Sequence, residues 1–416
     1  MRGGIWESRL EMSNVELRPA AETDNPQAVP NLVLPGHFAA AVLLAWLANR
    51  ISLVPWRRST AAHWTERARL LWPARVSAAG NPFLIPVMLY LAHRVLWPES
   101  AAGWVASGLV ACLGALLGGY PLEREMFPRL RFRDWLGEAA ATWGLRFSGL
   151  IALLAATLWM PPHLEAGAWA VAGVYLAFHF AMQWGLAIRF LRWIGFARPA
   201  DGRLRGIVAE AAGRMGIRPP TAWLLGGVHA LAFALPVTRE LLFSERLLEV
   251  CSGEELSAVC AHELAHLGES RGAVAGRLLG SLSLFPIIFI VPVIHDFGLG
   301  FIALPMLTLL IGKFARWLSQ RMEKRADQAA TATQLNDGVY ARALETLYRE
   351  NQLPAVNVND RQTHPHLYDR MLAAGITPDY PRPARPARMT TTGMVYCAIL
   401  GMLLAVILMR KGDGSP

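Results

Sequence analysis

The stretch Ser252-Gly253-Glu254-Glu255-Leu256-Ser257-Ala258-Val259-Cys260-Ala261-His262-Glu263-Leu264-Ala265-His266 holds residue types whose spacing could do hydrolytic chemistry. Ser252 followed by Glu255 reads as a capping box, and two early glutamates suit the positive end of a helix dipole, so a helix is expected to start here and run through both histidines. His262 and His266 then lie one turn apart on one face. Two imidazoles at i and i+4 can hold one zinc ion, and Glu263, rotated to the edge of that face, can reach a water in the open coordination position as general base. Alone, the same string also fits a solvated helix face. A third ligand separates the two readings.

Such a ligand is available downstream, where Ser319-Gln320-Arg321-Met322-Glu323-Lys324-Arg325-Ala326-Asp327 again reads as helix. Glu323 and Asp327 share a face, so one carboxylate can ligate a metal while the other accepts the spare N–H of a ligating histidine and fixes its tautomer. Read in isolation, Glu323 is better explained as half of a surface pair with Arg316 or Lys324. Topology favours the ligand. Between His266 and Glu323 lie two apolar segments joined by the six-residue connector 295–300, and an even number of crossings returns the chain to the same membrane face.

The elements that must position these residues are largely membrane helices. The 416-residue chain is 54% apolar and only 17% charged, with a mean hydropathy of +0.30, which excludes an ordinary soluble or disordered protein. With about 20 apolar residues needed per span, eight candidates emerge: 32–48, 83–97, 101–120, 147–160, 167–191, 273–294, 301–318 and 391–409. The second and fourth are short, and an interfacial position is their alternative. The net charge of +9 comes from arginines in the gaps between apolar blocks, not from a stripe that would suit nucleic acid. Arg50, Arg57, Arg58, Arg67, Arg69 and Arg75 follow the first candidate, and Arg124, Arg129, Arg131, Arg133 and Arg146 the third. The connectors 98–100, 161–166 and 295–300 contain no lysine or arginine. This alternation fits the positive-inside rule if all eight segments cross, with the N-terminus outside and the polar stretches 192–272 and 313–390 in the cytoplasm. Residues 1–30 lack the apolar core of a signal peptide. Gly272, Gly276 and Gly280 are expected to allow close packing of the sixth span, and Pro286 and Pro292 to bend it.

Together these pieces resemble the integral-membrane zinc metallopeptidases, or gluzincins, that include the type I CAAX prenyl protease and the HtpX heat-shock protease. The likeness runs from Asp201 to about Arg388 and keeps the family's order: a helix from Asp201 to Met215, a strand-like Ala232-Phe233-Ala234-Leu235-Pro236, the HExxH helix, a two-span hairpin, the helix of Glu323 and Asp327, and Thr363-His364-Pro365 followed by Arg370. The resemblance implies His262, His266 and Glu323 as ligands of one zinc ion per chain and Glu263 as the catalytic base. By position, His364 is similar to the family histidine that stabilises the tetrahedral intermediate, with His366 as the alternative. Asp327 and Arg370 look like a supporting pair. Ala232, Phe233, Ala234 and Leu235 resemble the edge that holds substrate in extended form. This chain departs from the family in having Ala265 within HExxH, where glycine is common, and Val237 and Thr238 after the strand, where glycines are common. The five segments before residue 192 are closer to the prenyl protease layout than to the shorter HtpX one.

The expected fold is therefore mainly α: a polytopic membrane protein with about eight transmembrane helices and a cytoplasmic zincin-like catalytic region holding a small β element. Its parts are a polar segment 1–31, an N-terminal membrane region 32–191, a metallopeptidase region 192–390 including the hairpin 273–318, a last span 391–409 and a tail 410–416. The expected function is a membrane endopeptidase acting on membrane-associated proteins or peptides. A catalytically idle metal-binding membrane protein that escorts other membrane proteins is the alternative. The arginine- and alanine-rich composition points to a prokaryotic inner or plasma membrane. Among the other histidines, His37, His93 and His179 are expected to make helix-to-helix hydrogen bonds, and His63, His163, His229 and His295 to lack ligand-like company. Cys251 and Cys260 are read as small core residues, and no disulfide or cysteine metal site is indicated.

Overall fold

A computed structural model describes residues 33–96, 104–360 and 365–412. The expected polar segment 1–31, His364 and the end of the tail, 413–416, lie outside the described residues. Helix dominates, and the β content is one four-stranded sheet, as expected from the sequence.

Among the described residues, six helical segments are long and apolar enough to cross a membrane: Val33–Ser52, Trp64–Leu96, Ala106–Met126, Ala166–Trp193, Arg271–Thr333 and Thr391–Met409. Phe132–Leu145 with Ser148–Leu158, bent by 55°, makes a seventh if the pair is one span. The expected count of eight differs because 273–294 and 301–318 fall within the single 63-residue stretch Arg271–Thr333, which folds back on itself. The expected 83–97 is the second half of a 33-residue helix, and 147–160 is one arm of the bent pair.

Small residues bring the N-terminal helices together. A Cβ at Gly114 would lie 2.6 Å from the Phe38 carbonyl oxygen, and one at Gly118 2.6 Å from that of Val42, so these backbones touch only because glycine is present. Ala41, Ala45, Ile85, Ala111 and Tyr396 pack into the resulting cluster, which ties the last helix to the first. Between these helices Asn81 Nδ2 donates to Asn49 Oδ1 at 3.0 Å and Asn49 Nδ2 to the Gly118 carbonyl at 3.3 Å, pairing donors that would be costly to leave open in lipid.

The hairpin departs from the expected continuous span. Helix Arg271–Ser281 stops, a 3-10 turn Phe285–Phe289 contains Pro286, and a short helix Ile290–Phe297 follows before the long helix Ala303–Thr333. Pro286 lacks the N–H that an uninterrupted helix needs, so the chain breaks there instead of bending. Gly276 and Gly280 pack against Leu318 and Ala315 of the long helix, as their spacing suggested, whereas Gly272 meets only Ser270.

The sheet has the order β1-β2-β4-β3, with β1 Ala197–Pro199, β2 Thr221–Leu225, β3 Ala232–Leu235 and β4 Glu240–Ser244. β2 and β4 run parallel and the outer pairs antiparallel. Helix Gly202–Arg214, capped by Asp201 accepting from Leu204 N–H at 2.8 Å, joins β1 to β2. Leu204, Val208 and Ala211 bury against Leu224, Leu241 and Phe243 of the sheet, and Leu256, Cys260 and Leu264 of the histidine helix complete this core. Among the described residues β3 pairs only with β4, which leaves its other edge without a strand partner.

Candidate active site

The histidine helix spans Gly253–Leu267, and both arms of its capping box form: Ser252 Oγ accepts from the Glu255 N–H, and Glu255 Oε2 accepts from the Ser252 N–H at 2.8 Å. Its apolar face is fixed against the sheet core, which turns the opposite face towards the long helix Ala303–Thr333. His262, Glu263 and His266 are 6–8% exposed, and Glu323 is 7% exposed on the long helix. Ionisable side chains this buried need partners.

The partners are each other. Glu323 Oε2 lies 3.6 Å from His262 Nε2, and its Oε1 lies 3.5 Å from His266 Nε2. One ligand atom from each of the three residues falls within 4.8 Å of the others. Ligands at about 2.0–2.1 Å around a tetrahedral zinc ion stand roughly 3.3–3.5 Å apart, so the two carboxylate-to-imidazole spacings suit such an ion. Glu323 is thus buried facing the imidazoles instead of forming a surface pair.

Both histidines are oriented through Nδ1, which leaves Nε2 for the shared centre. His262 Nδ1 is 2.8 Å from Tyr340 Oη and 3.1 Å from Asp327 Oδ1. The Tyr340 hydroxyl donates to Asp327 at 2.6 Å, and Arg370 donates to both Asp327 oxygens at 2.9 and 2.6 Å, so the anticipated pair of Asp327 and Arg370 is present. Burial opposes ionisation of Asp327, yet the His262 hydrogen bond and the Arg370 charge outweigh it and hold the carboxyl well below its ordinary range. On the other side, His266 Nδ1 is 2.8 Å from Glu269 Oε1, which also accepts from Arg277 at 2.9 Å. Burial works against a charged ring at His262, but hydrogen bonds to Asp327 and Glu323 raise its pKa to about 9. The pocket therefore draws positive charge to the position that a cation would take.

Glu263 follows His262 directly, and its charge acts on that ring. His366 is buried with both ring nitrogens engaged: Nδ1 accepts from the Asn357 N–H at 2.9 Å, and Nε2 is 2.8 Å from Asp360 Oδ1. These bonds tie His366 to the loop that carries it. β3, with Ala232, Phe233, Ala234 and Leu235, lies beside the histidine helix.

Tyr340, Glu269 and Arg277 were not singled out from the sequence. Glu269, three residues past His266, carries the one local signal that could have found it. Elsewhere, His179 Nε2 is 2.8 Å from Ser281 Oγ on the hairpin, as expected for an intramembrane histidine. Cys251 and Cys260 lie in the sheet core, where burial pushes the Cys251 thiol up to about 12. The expectation that His163 and His295 lack ligand-like company fails, because folding places both beside Asp296.

Residues 199–375 match the model of peptidase family M48. Protease HtpX of Pseudomonas entomophila (strain L48) is 30% identical over 189 residues, covering 41% of this chain and 60% of that protein. Protease HtpX of Acinetobacter baumannii (strain AYE) is 27% identical over 177 residues, covering 37% and 58%. A Protease HtpX homolog of Thermoplasma volcanium is 32% identical over 100 residues, covering 22% and 32%. The chain thus spans about 60% of the length of the first of these curated relatives. The matched region contains the histidine helix, the hairpin and the carboxylate helix, and over it the chain is similar to peptidase family M48 and to the HtpX proteases.

Proposed function

We propose that the chain is a zinc-dependent, membrane-embedded endopeptidase that cleaves membrane-associated proteins or peptides. The observation that carries this reading is the convergence of His262, His266 and Glu323, from helices 57 residues apart at their nearest ligands, into one buried donor set beside Glu263. Zinc, when bound, would supply Lewis acidity towards the scissile carbonyl and make a coordinated water acidic near neutral pH. Glu263 takes the proton of the attacking water and passes it to the leaving amine. His364 donates to the oxyanion that develops on the substrate. The open edge of β3 holds the substrate backbone extended by hydrogen bonding, so that recognition depends on main chain more than on side chains. Asp327 and Arg370, with Tyr340, keep the His262 ring in its ligating orientation.

The site is close to the bilayer. Only three residues separate the end of the histidine helix at Leu267 from the start of the hairpin helix at Arg271, so substrates are membrane proteins or their loops and tails. Arginine-rich connectors on the same side support a cytoplasmic orientation in a prokaryotic inner membrane with eight crossings, the hairpin contributing two. A catalytically idle metal protein would have no use for Glu263. The test is cleavage of an unfolded membrane substrate by detergent-purified protein beside Glu263→Gln. Zinc retained with activity reduced about 10²–10⁴-fold supports the reading; equal activity in both proteins ends it.

A further inference from the structure

Among the described residues, a second group of metal-type ligands stands at the hairpin tip: His163, His295 and Asp296, one ligand atom of each within 4.8 Å of the others. His163 belongs to the connector 161–166, before helix Ala166–Ala181. His295 and Asp296 end the short helix Ile290–Phe297, 132 and 133 residues further along. Glu323 and the start of the long helix at Ala303 are 20 residues apart, or about 30 Å at 1.5 Å per residue, so this cluster lies roughly a bilayer thickness from the His262 site.

We propose that His163, His295 and Asp296 form a second, structural site for a divalent transition metal such as zinc, which clasps the 161–166 connector to the hairpin tip. Three observations carry this. First, the cluster is held in place: the Asp296 carboxylate accepts from the Leu164 N–H at 2.7 Å and lies 2.7 Å from His163 Nδ1, and the rings of His163 and His295 stand 4.4 Å apart. Its scaffold is packed, with Leu153, Ala156, Ala168 and Ala172 of the flanking helices buried against Ile288 and Phe289 of the hairpin. Second, the residues are more than a loop latch needs. A latch uses His163 and Asp296, whereas His295 adds a second imidazole, and Asp296 sits at the C-terminal end of its helix, where the dipole disfavours an acid. A cation between them accounts for both. Third, neither connector contains a lysine or arginine, so no cationic side chain in them neutralises the carboxylate in place of a metal. Two imidazoles and one carboxylate suit zinc, copper or nickel more than calcium or magnesium. The three side chains are exposed, which leaves water to complete the coordination.

The test counts metal in the full chain in detergent, stripped with chelator, reloaded with zinc and desalted. The wild type is expected to hold about two ions per chain, and His163→Asn/His295→Gln about one. Asp296→Asn, a single exposed change, should lose the same ion, which guards against a misfolded double variant. His262→Asn/His266→Gln should keep the tip ion, so failure of the proposed catalytic centre reads out separately. Equal zinc counts in the wild type and the His163→Asn/His295→Gln protein overturn the proposal.

Discussion

Glu269→Gln isolates the orientation of a single ligand. Glu269 is 4% exposed, accepts from His266 Nδ1–H at 2.8 Å, and belongs neither to the donor set nor to the proposed proton path. A charge-assisted hydrogen bond contributes about 1.5–3 kcal/mol and a neutral one about 0.5–1.5 kcal/mol, so exchanging carboxylate for amide costs roughly 1–2 kcal/mol of ligand basicity and alignment. That corresponds to about 5- to 30-fold in zinc affinity, within the roughly 10- to 100-fold span seen when partners of metal-bound histidines are changed. Arg277, the other partner of Glu269, is 35% exposed, so water takes over its solvation and its loss adds little. The assay is competition for zinc against a fluorescent chelator at fixed pH, with His163→Asn/His295→Gln in both proteins so that the hairpin tip does not contribute. Affinity unchanged within about twofold in a folded protein would refute the view that Glu269 fixes the His266 ring.

Three further outcomes follow from the same geometry. Glu323→Gln removes a ligand charge while keeping the side chain's shape, and should weaken zinc binding by more than about 100-fold, read by the same competition. Gly114→Val puts a side chain where the Phe38 carbonyl stands 2.6 Å away and should destabilise the N-terminal helix cluster by about 1–3 kcal/mol, visible as a lower thermal midpoint in detergent. Ser252→Ala breaks the capping box and should cost about 1 kcal/mol, measured by thermal unfolding, with zinc stoichiometry unchanged.

What the sequence made legible was whatever local spacing controls. The capping box at Ser252 and Glu255, the shared face of His262 and His266, and the strand Ala232–Leu235 all depend on residues within a few positions of one another, and all form as read. Glu323 was found by counting crossings, an argument that needs only an even number. The exact count was less accessible, because length and hydropathy do not say where a helix breaks: Pro286 ends a helix that apolar composition alone would continue, and the hairpin registers as one long stretch. Contacts made only by packing stayed hidden. Tyr340 reaches His262 from 78 residues away, and His163 meets Asp296 across 133, with no periodicity to announce either. The bonds of His366 to the Asn357 N–H and Asp360 are likewise set by the fold of its loop and not by any sequence period.

Zinc X-ray absorption of the full chain at one equivalent, in the His163→Asn/His295→Gln background, reads whether two imidazoles and one carboxylate from separate helices share one metal ion. The shared ion is expected to show two imidazole nitrogens and carboxylate and water oxygens near 2.0–2.2 Å, with no sulfur, and to lose the carboxylate contribution in Glu323→Gln. A sulfur contribution near 2.3 Å, or a spectrum that Glu323→Gln leaves unchanged, would contradict it.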